Sequence, residues 1–429
     1  MPNPVPSPES LLRAMFDAAL AAIAPGPWMT DLLPAKPKGR TVVVGAGKAA
    51  AAMAATVEQA WDGPLSGLVV TGYGHGCPTR QIEVIEAGHP APDQASQHAA
   101  RRILDLARSL TADDLLLCLM SGGGSALMAA PASGLTLADK QAVTRDLLRC
   151  GATINEINCV RKHLSAIKGG RLAMAAAPAR VVTLMISDVP GDDPSVIGSG
   201  PTVPDPTTFA DAWEVVRKYA VPLPPAVRQH LTEAAEESPK PNDPLFARTQ
   251  ALMAATPQNA LDAAAEVARR AGVTPLILGN AIEGEARDVA LVHIGMTRQV
   301  VLHNQPIAPP CVLLSGGETT VTVTGNGRGG RNLEFLLGLA AALKSQPAEV
   351  HKAVWALAAD TDGLDGTEDN AGALLRPDSL RRAHSLGLSA SAHLADNNSY
   401  GFFRALDDLI ITGPTRTNVN DFRAVLIIP

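Results

Sequence analysis

The chain is poor in the residues that build base-stacking platforms, membrane spans and disulfide frames. Aromatic residues occupy 3% of its 429 positions, so flat surfaces for stacking nucleic-acid bases are scarce. Charged residues make up 18% and sum to −6, with a pI near 5.9, so no basic face is expected for a nucleic-acid partner. No apolar stretch reaches about 18 residues without a polar break, so no membrane span is expected. The five cysteines (Cys77, Cys118, Cys150, Cys159 and Cys311) contain no C-x-x-C pair, and an odd, scattered set predicts reduced thiols in a cytoplasmic protein. The opening MPNPVPSPES has no basic segment followed by an apolar one, so no signal peptide is expected. There is no H-x-x-x-H zinc pair, no G-x-S-x-G nucleophile elbow and no Walker A loop.

What is present is an alternation of short apolar runs with helix-length segments, ending repeatedly in glycine. A length of 429 residues predicts two or three domains. Leu11, Leu12, Met15, Phe16, Leu20 and Ile23 recur at helical spacing over 9–24. Strands are predicted at Thr41–Val44, Leu68–Thr71, Leu115–Met120 and Val181–Ile186, with helices after the first and before the third. Such alternation predicts a parallel, helix-covered sheet. The polar, proline-bearing segment Thr232–Gln250 marks a boundary between a first domain, 1–240, and a second, 251–429. In the second, strands are predicted at 251–255, 274–279, 311–314, 318–324 and 352–358, helices at 259–271, 283–297 and 331–344, and closing strands at 408–412 and 422–428.

Two of these strands break into the same turn. Ser121-Gly122-Gly123-Gly124-Ser125 follows the first, and Ser315-Gly316-Gly317-Glu318 follows the second. In open α/β sheets, ligands bind outside the carboxyl ends of strands, where glycines let backbone N–H groups approach an anion. The alternative is a pair of tight strand exits with no ligand. Gly45-Ala46-Gly47-Lys48-Ala49-Ala50 has the form of a dinucleotide fingerprint, yet the next strand ends in Thr71-Gly72-Tyr73, with no acid for a ribose hydroxyl. Lys48, at a helix start, makes sense beside an anion. Thr324–Arg331 holds a literal G-x-G-x-x-G (Gly325, Gly327, Gly330) with Arg328 and Arg331, and a guanidinium can hold phosphate or carboxylate by two parallel bonds. Carboxylates gather at Asp188, Asp192 and Asp193 and again at Asp360, Asp362 and Asp365, where Mg²⁺ would find oxygen ligands and where capped turns are the alternative. The run Arg161–Arg171 is basic, either a solvated face or a source of positive potential. His89 reads as structural. This inventory suits phosphoryl transfer, in which positioning and charge neutralisation do most of the chemistry.

The ordered set resembles one family. G-A-G-K-A at 45–49, S-G-G-G-S at 121–125, V-R-K-H-L-S-A-I-K-G-G-R-L at 160–172 and S-D-V-P-G-D at 187–192 are similar to the two-domain glycerate 2-kinases that contain a MOFRL region. So are S-G-G-E-T-T-V-T-V at 315–323, G-N-G-R-G-G-R-N at 325–332, D-T-D-G-L-D-G at 360–366 and T-N-V-N-D at 417–421. The resemblance covers nearly the whole chain. It implies two α/β/α three-layer domains, the first Rossmann-like, with a cleft between them, and ATP-dependent, Mg²⁺-dependent phosphorylation of D-glycerate at the 2-hydroxyl. It places Lys48 and Arg331 at the family's essential basic positions. On that basis Lys48, Arg331 and Asp188 are the expected catalytic residues. Ser121, Gly122, Gly123 and Ser125 are expected to hold glycerate, and Ser315, Gly316, Gly317, Glu318, Gly325, Gly327 and Gly330 the nucleotide. Asp188 and Asp192 are expected to hold the metal. One departure is visible: the family usually reads R-N-Q-E where this chain has Arg331-Asn332-Leu333-Glu334. Relatives of this style often carry a hydroxypyruvate reductase label, so an NAD(P)H-dependent reductase stays open, as does a non-catalytic sensor of a sugar acid or nucleotide. A homo-oligomer is also left open.

Overall fold

The computed structural model describes residues 7–429. The chain divides into two compact units, one of Pro25–Ala254 and one that joins the residues up to Ala24 to Ala255–Pro429.

The first unit is built on a six-stranded sheet: β1 (Thr41–Ala46), β2 (Leu65–Gly72), β3 (Glu83–Ala87), β4 (Leu115–Met120), β5 (Arg180–Ile186) and β6 (Thr249–Ala255), in the order β3-β2-β1-β4-β5-β6. The pairs from β3 through β5 are parallel. β1 and β4 are buried at every position, which is why they read as unbroken apolar runs. Val42, Val44, Leu116 and Cys118 form a core with Ile103 and Leu104 of the helix Gln94–Arg108. The chain moves outward in one direction from β1 to β3 and in the other from β4 to β6. The junction of β1 and β4 is therefore the topological switch point of a doubly wound sheet.

The second unit carries β7 (Thr274–Gly279), β8 (Gly284–Glu285), β9 (Cys311–Gly317), β10 (Thr319–Thr320), β11 (Val354–Asp360), β12 (Gly372–Leu375), β13 (Leu409–Ile410) and β14 (Asp421–Ile427). Its sheet runs β13-β12-β11-β14-β9-β7, while β8 and β10 pair as a separate ribbon. Only β7 and β9 are parallel in this sheet; the remaining pairs are antiparallel. This departs from the parallel sheet expected from the alternation. The loop 361–371 holds no helix, so β12 returns beside β11 directly, and a direct return is antiparallel. Leu313, Ala356 and Val425 pack with Phe335 and Leu339 of the helix Arg331–Leu343.

Three further expectations shift. The strand near 251–255 lies at the edge of the first sheet, not in the second. The strand predicted over 318–324 shrinks to β10, because Glu285 takes the Thr322 amide at 2.9 Å and Asn397 the Thr324 amide at 2.8 Å. The helix Pro8–Ile23 belongs to the second unit rather than to the first domain at 1–240. Its apolar face buries Leu11, Leu12, Met15, Phe16 and Ile23. Phe16 stacks on Phe422 at 5.6 Å, and Thr417 Oγ1 donates to the Ile23 carbonyl at 2.9 Å. No helix among the described residues is long and apolar enough to cross a membrane.

Candidate active site

At the switch point of the first unit, the loop after β1 and the turn after β4 are joined by hydrogen bonds. The Lys48 amide donates to the Gly122 carbonyl at 2.8 Å, and the Ala49 amide to Ser121 Oγ at 2.9 Å. Ser121 is fully buried. Gly47 lies at φ +141°, and a β-carbon there would stand 2.1 Å from Ser121 Oγ and 2.6 Å from the Ser121 carbonyl oxygen. The fingerprint glycines are thus explained by strand packing. A β-carbon on Gly45 would likewise meet the Leu119 carbonyl at 2.1 Å. Gly47→Ala is expected to cost about 2–4 kcal/mol, from backbone strain and a steric clash that the buried β4 cannot relax. Urea unfolding of the variant measures it, and a cost below ~1 kcal/mol would show the loop to be slack.

β5 ends on the same side of the sheet as β4. Met120 pairs in register with Met185, so Ser187 and Asp188, just past β5, stand beside the Ser121 turn. Asp188 is half-buried. Asp192 holds a left-handed backbone at φ +54°, and its Oδ1 is buried with no hydrogen-bond partner among the described residues. Ser125 Oγ sits 2.9 Å from Ser199 Oγ and accepts from Lys168 Nζ at 3.0 Å. Ser199 itself has φ +63°, a conformation that strains a residue with a side chain. A β-carbon on Gly123 would meet the His89 ring at 2.9 Å, which puts His89 against the glycine turn. The site reading of the sequence did not include Lys168 or Ser199, and it took His89 as structural. Lys168 stood in the basic run already noticed, but the convergence of Lys168 and Ser199 on Ser125 depends on β5 pairing with β4.

In the second unit, Arg331 opens its helix beside three carboxylates. Nε donates to Asp421 at 2.6 Å, Nη2 to Asp360 at 2.7 Å and Nη1 to Glu318 at 3.1 Å. Burial works against its charge, but these three carboxylates raise its pKa above the ordinary arginine value. Asp421 is buried, and burial works upward on it too; Arg423 and Arg331 nonetheless hold it below the usual carboxylate range. The pairs Arg331–Asp360 and Arg331–Asp421 close because β11 and β14 are neighbours in register, Asp360 opposite Asp421.

In the loop 325–330, the amides of Gly325 and Gly327, predicted to cradle phosphate, are otherwise engaged. The amides of Thr324 and Gly325 donate to Asn397 Oδ1, that of Asn326 to the Asp396 carboxylate, and that of Gly327 to the Asp396 carbonyl at 2.8 Å. The helix start at Arg331 is also taken: Asp365 accepts from the amides of Asn332 and Leu333 at 3.0 and 2.9 Å. A β-carbon on Gly330 would strike that carboxyl at 2.3 Å. Gly317, at φ +120°, lets the Ile282 backbone approach, and the Ser315 hydroxyl meets His293 Nε2 at 3.0 Å. Leu333, where the family carries glutamine, is fully buried in the apolar core.

Burial pushes Asp365 up to about 6, against the pull of its two amides. Its folded pKa exceeds its unfolded value, so its contribution to stability is complete below pH ~4 and is lost as pH rises through about 6. The stability difference between wild type and Asp365→Asn, followed by urea unfolding from pH 4 to 7, is expected to shrink over that range. A pH-independent difference would refute the shift.

Fold and site together define a two-unit α/β protein with a switch-point loop and turn in one unit and an arginine–carboxylate cluster in the other. The family description "Domain of unknown function (DUF4147)" matches residues 11–232, and the MOFRL family matches residues 311–421. The D-glycerate 2-kinase of Thermotoga maritima is 37% identical, over 98% of this chain and 99% of its own. The human glycerate kinase is 34% identical over 97% of this chain and 92% of its own. An Agrobacterium vitis protein provisionally named hydroxypyruvate reductase is 52% identical over 98% and 95%. The crystal structure of the Thermotoga maritima glycerate kinase superposes with a TM-score of 0.87 at 36% identity, covering 98% of this chain and 100% of that one. The chain belongs to the MOFRL-containing, two-domain glycerate 2-kinase family.

Proposed function

We propose that the chain is an ATP-dependent kinase that phosphorylates D-glycerate at its 2-hydroxyl. The observation that carries the reading is the bonded pair of loops at the switch point, with Lys48 in one and Ser121–Ser125 in the other. Among the relatives that match it along nearly their full length, those of Thermotoga maritima and human are named glycerate kinases, while that of Agrobacterium vitis carries the reductase name. The glycines at 45 and 47 are required by strand packing, so they do not by themselves call for a nicotinamide cofactor.

In the proposed reaction, the 2-hydroxyl oxygen forms a bond to the γ-phosphorus of ATP. The bond from that phosphorus to the ADP oxygen breaks, and Asp188 takes the hydroxyl proton. Lys48 neutralises charge on the transferring phosphoryl group. The turn Ser121, Gly122, Gly123 and Ser125 holds glycerate. The nucleotide phosphates are assigned to Ser315, Gly316, Gly317 and Glu318 with Arg331. Glu318 is the half-exposed partner of Arg331, and so the one a phosphate would displace. Gly325 and Gly327 are left out of this assignment, since their amides are engaged.

Magnesium fits the carboxylates at the end of β5. Mg²⁺ keeps most of its water and takes one or two carboxylates plus phosphate oxygens, and the orphaned Asp192 Oδ1 is a donor of the right kind. Asp188 and Asp192 would hold it, and it would supply neutralisation of phosphate charge. A cytoplasmic setting, with ATP at hand, completes the proposal. Purified protein given D-glycerate and Mg·ATP should release ADP and form 2-phosphoglycerate. NADH consumption with hydroxypyruvate, in the absence of any ADP release, would overturn the reading.

A further inference from the structure

The first unit gathers cationic side chains in one neighbourhood and gives three of them no acid. Lys140 lies on the helix Leu137–Arg149, Arg161 on the helix Ile154–His163, Lys168 in the loop that follows, and Arg171 at the start of the next helix. Lys140 is 7% exposed and Lys168 2%. Lys168 Nζ donates to the Ser125 carbonyl at 2.7 Å, Ser125 Oγ at 3.0 Å and the Gly198 carbonyl at 3.3 Å, all neutral acceptors. Lys140 makes one long bond, to the Ala130 carbonyl at 3.4 Å. Arg161 is half-buried and has no hydrogen-bond or ion-pair partner among the described residues. The neighbouring Lys162 differs, because it pairs with Asp205 at 3.3 Å. Arg171 also differs: it donates to the Glu236 carbonyl and is favoured by the charges of Glu237, Asp205 and Glu236.

The electrostatics agree with this division. Burial lowers Lys140 to about 7, and Arg161 and Arg171 push in the same direction. Burial, then Lys140 and Arg161, hold Lys168 well below the ordinary lysine range. Burial lowers Arg161 as well. Buried charges in proteins are paired or shift toward the neutral form, and basic groups gathered without a counter-ion make a candidate site for an anion. The two lysines anchor on the segment that follows the glycine turn, Lys168 at Ser125 and Lys140 at Ala130. Arg161 offers the planar fork that matches a carboxylate.

We propose that Lys140 and Arg161, backed by Lys168, seat the carboxylate of the hydroxy-acid acceptor, with Ser125 at the edge of that seat. The proposal rests on the reading of the Ser121–Ser125 turn as the acceptor site. It makes the basic run at 161–171 part of substrate recognition rather than a solvated face, and it adds Lys140, which no motif contained.

Calorimetric titration of the full chain with D-glycerate at pH 8, with no nucleotide, tests it. Wild type is expected to bind with proton uptake, seen as a dependence of the measured heat on buffer ionisation, because an anion returns a proton to Lys140. Arg161→Gln is expected to weaken binding tenfold or more. Lys140→Met is expected to weaken binding and remove the proton uptake while melting no lower than wild type; Lys140→Gln serves if the methionine variant does not fold. Glycerol, which lacks the carboxylate, should not distinguish wild type from variants. Folded variants with wild-type affinity and proton uptake would overturn the seat, as would tighter binding of inorganic phosphate than of D-glycerate. Turnover assays separate the two readings. Wild-type ADP release with an unchanged glycerate KM in Arg161→Gln overturns the seat and leaves the kinase. Binding with the expected losses but without ADP release overturns the kinase and leaves the seat.

Discussion

Replacing Arg331 by alanine is expected to lower the unfolding free energy by about 3 kcal/mol and to abolish phosphoryl transfer. The stability loss follows from what the guanidinium leaves behind. Asp421 and Asp360 are 3% and 4% exposed, and both accept from Arg331. Removing a partner from a buried pair strands the remaining charge, which is the costly direction of change. Arg423 also bonds Asp421, so that carboxylate keeps one cation and the protein is expected to stay folded at 25 °C. Arg331→Lys should recover little, because three nitrogens of one planar group reach three different acids and an ammonium cannot reproduce that fork. Asp360→Asn in the Arg331→Ala background should restore part of the stability and none of the activity. Urea unfolding and ADP release measure the two effects separately. An Arg331→Ala protein with wild-type stability would mean that the cluster contributes no net binding energy to the fold.

Lys48→Ala is expected to reduce kcat by about 10²–10³-fold while the protein remains folded, the loss typical of removing one preorganised charge at a reacting centre. The loop should survive the change. Its geometry depends on Gly47, on the Ser121 hydroxyl and on the Lys48 backbone amide, which alanine retains. A fall in kcat with little change in the KM for glycerate would identify charge neutralisation in the transition state, whereas a rise in KM alone would assign Lys48 to ground-state binding. Initial rates at saturating Mg·ATP distinguish these outcomes. A kcat within threefold of wild type would remove Lys48 from the catalytic set.

Much of the first unit was legible along the chain. β1, β4 and β5 are buried at nearly every position, and fully buried parallel strands appear as apolar runs ending in glycine or serine. The second unit was less legible. β14 slips between β9 and β11 from the far end of the chain, and no local period encodes which strand a segment will pair with. The glycine-rich loop at 325–330 matched a phosphate-binding pattern for a different physical reason. Its glycines admit Asp396, Asn398, Ser399 and Asp365 at distances no β-carbon would allow. Lys140 carried no motif at all; it stands out only because folding takes its ammonium out of water without supplying an acid.

By itself the sequence determined the α/β class, the strand-end positions of the turns and, through its ordered motifs, membership of the glycerate 2-kinase family. The tertiary structure decided which of those turns meet. Lys48 and Gly122 come together because β1 pairs with β4 as well as with β2. Arg331 finds Asp360 and Asp421, 29 and 90 residues away, because β11 and β14 share a register. Strand pairing is a long-range choice set by total burial, so residue spacing announces the chemical groups while the sheet order selects their partners.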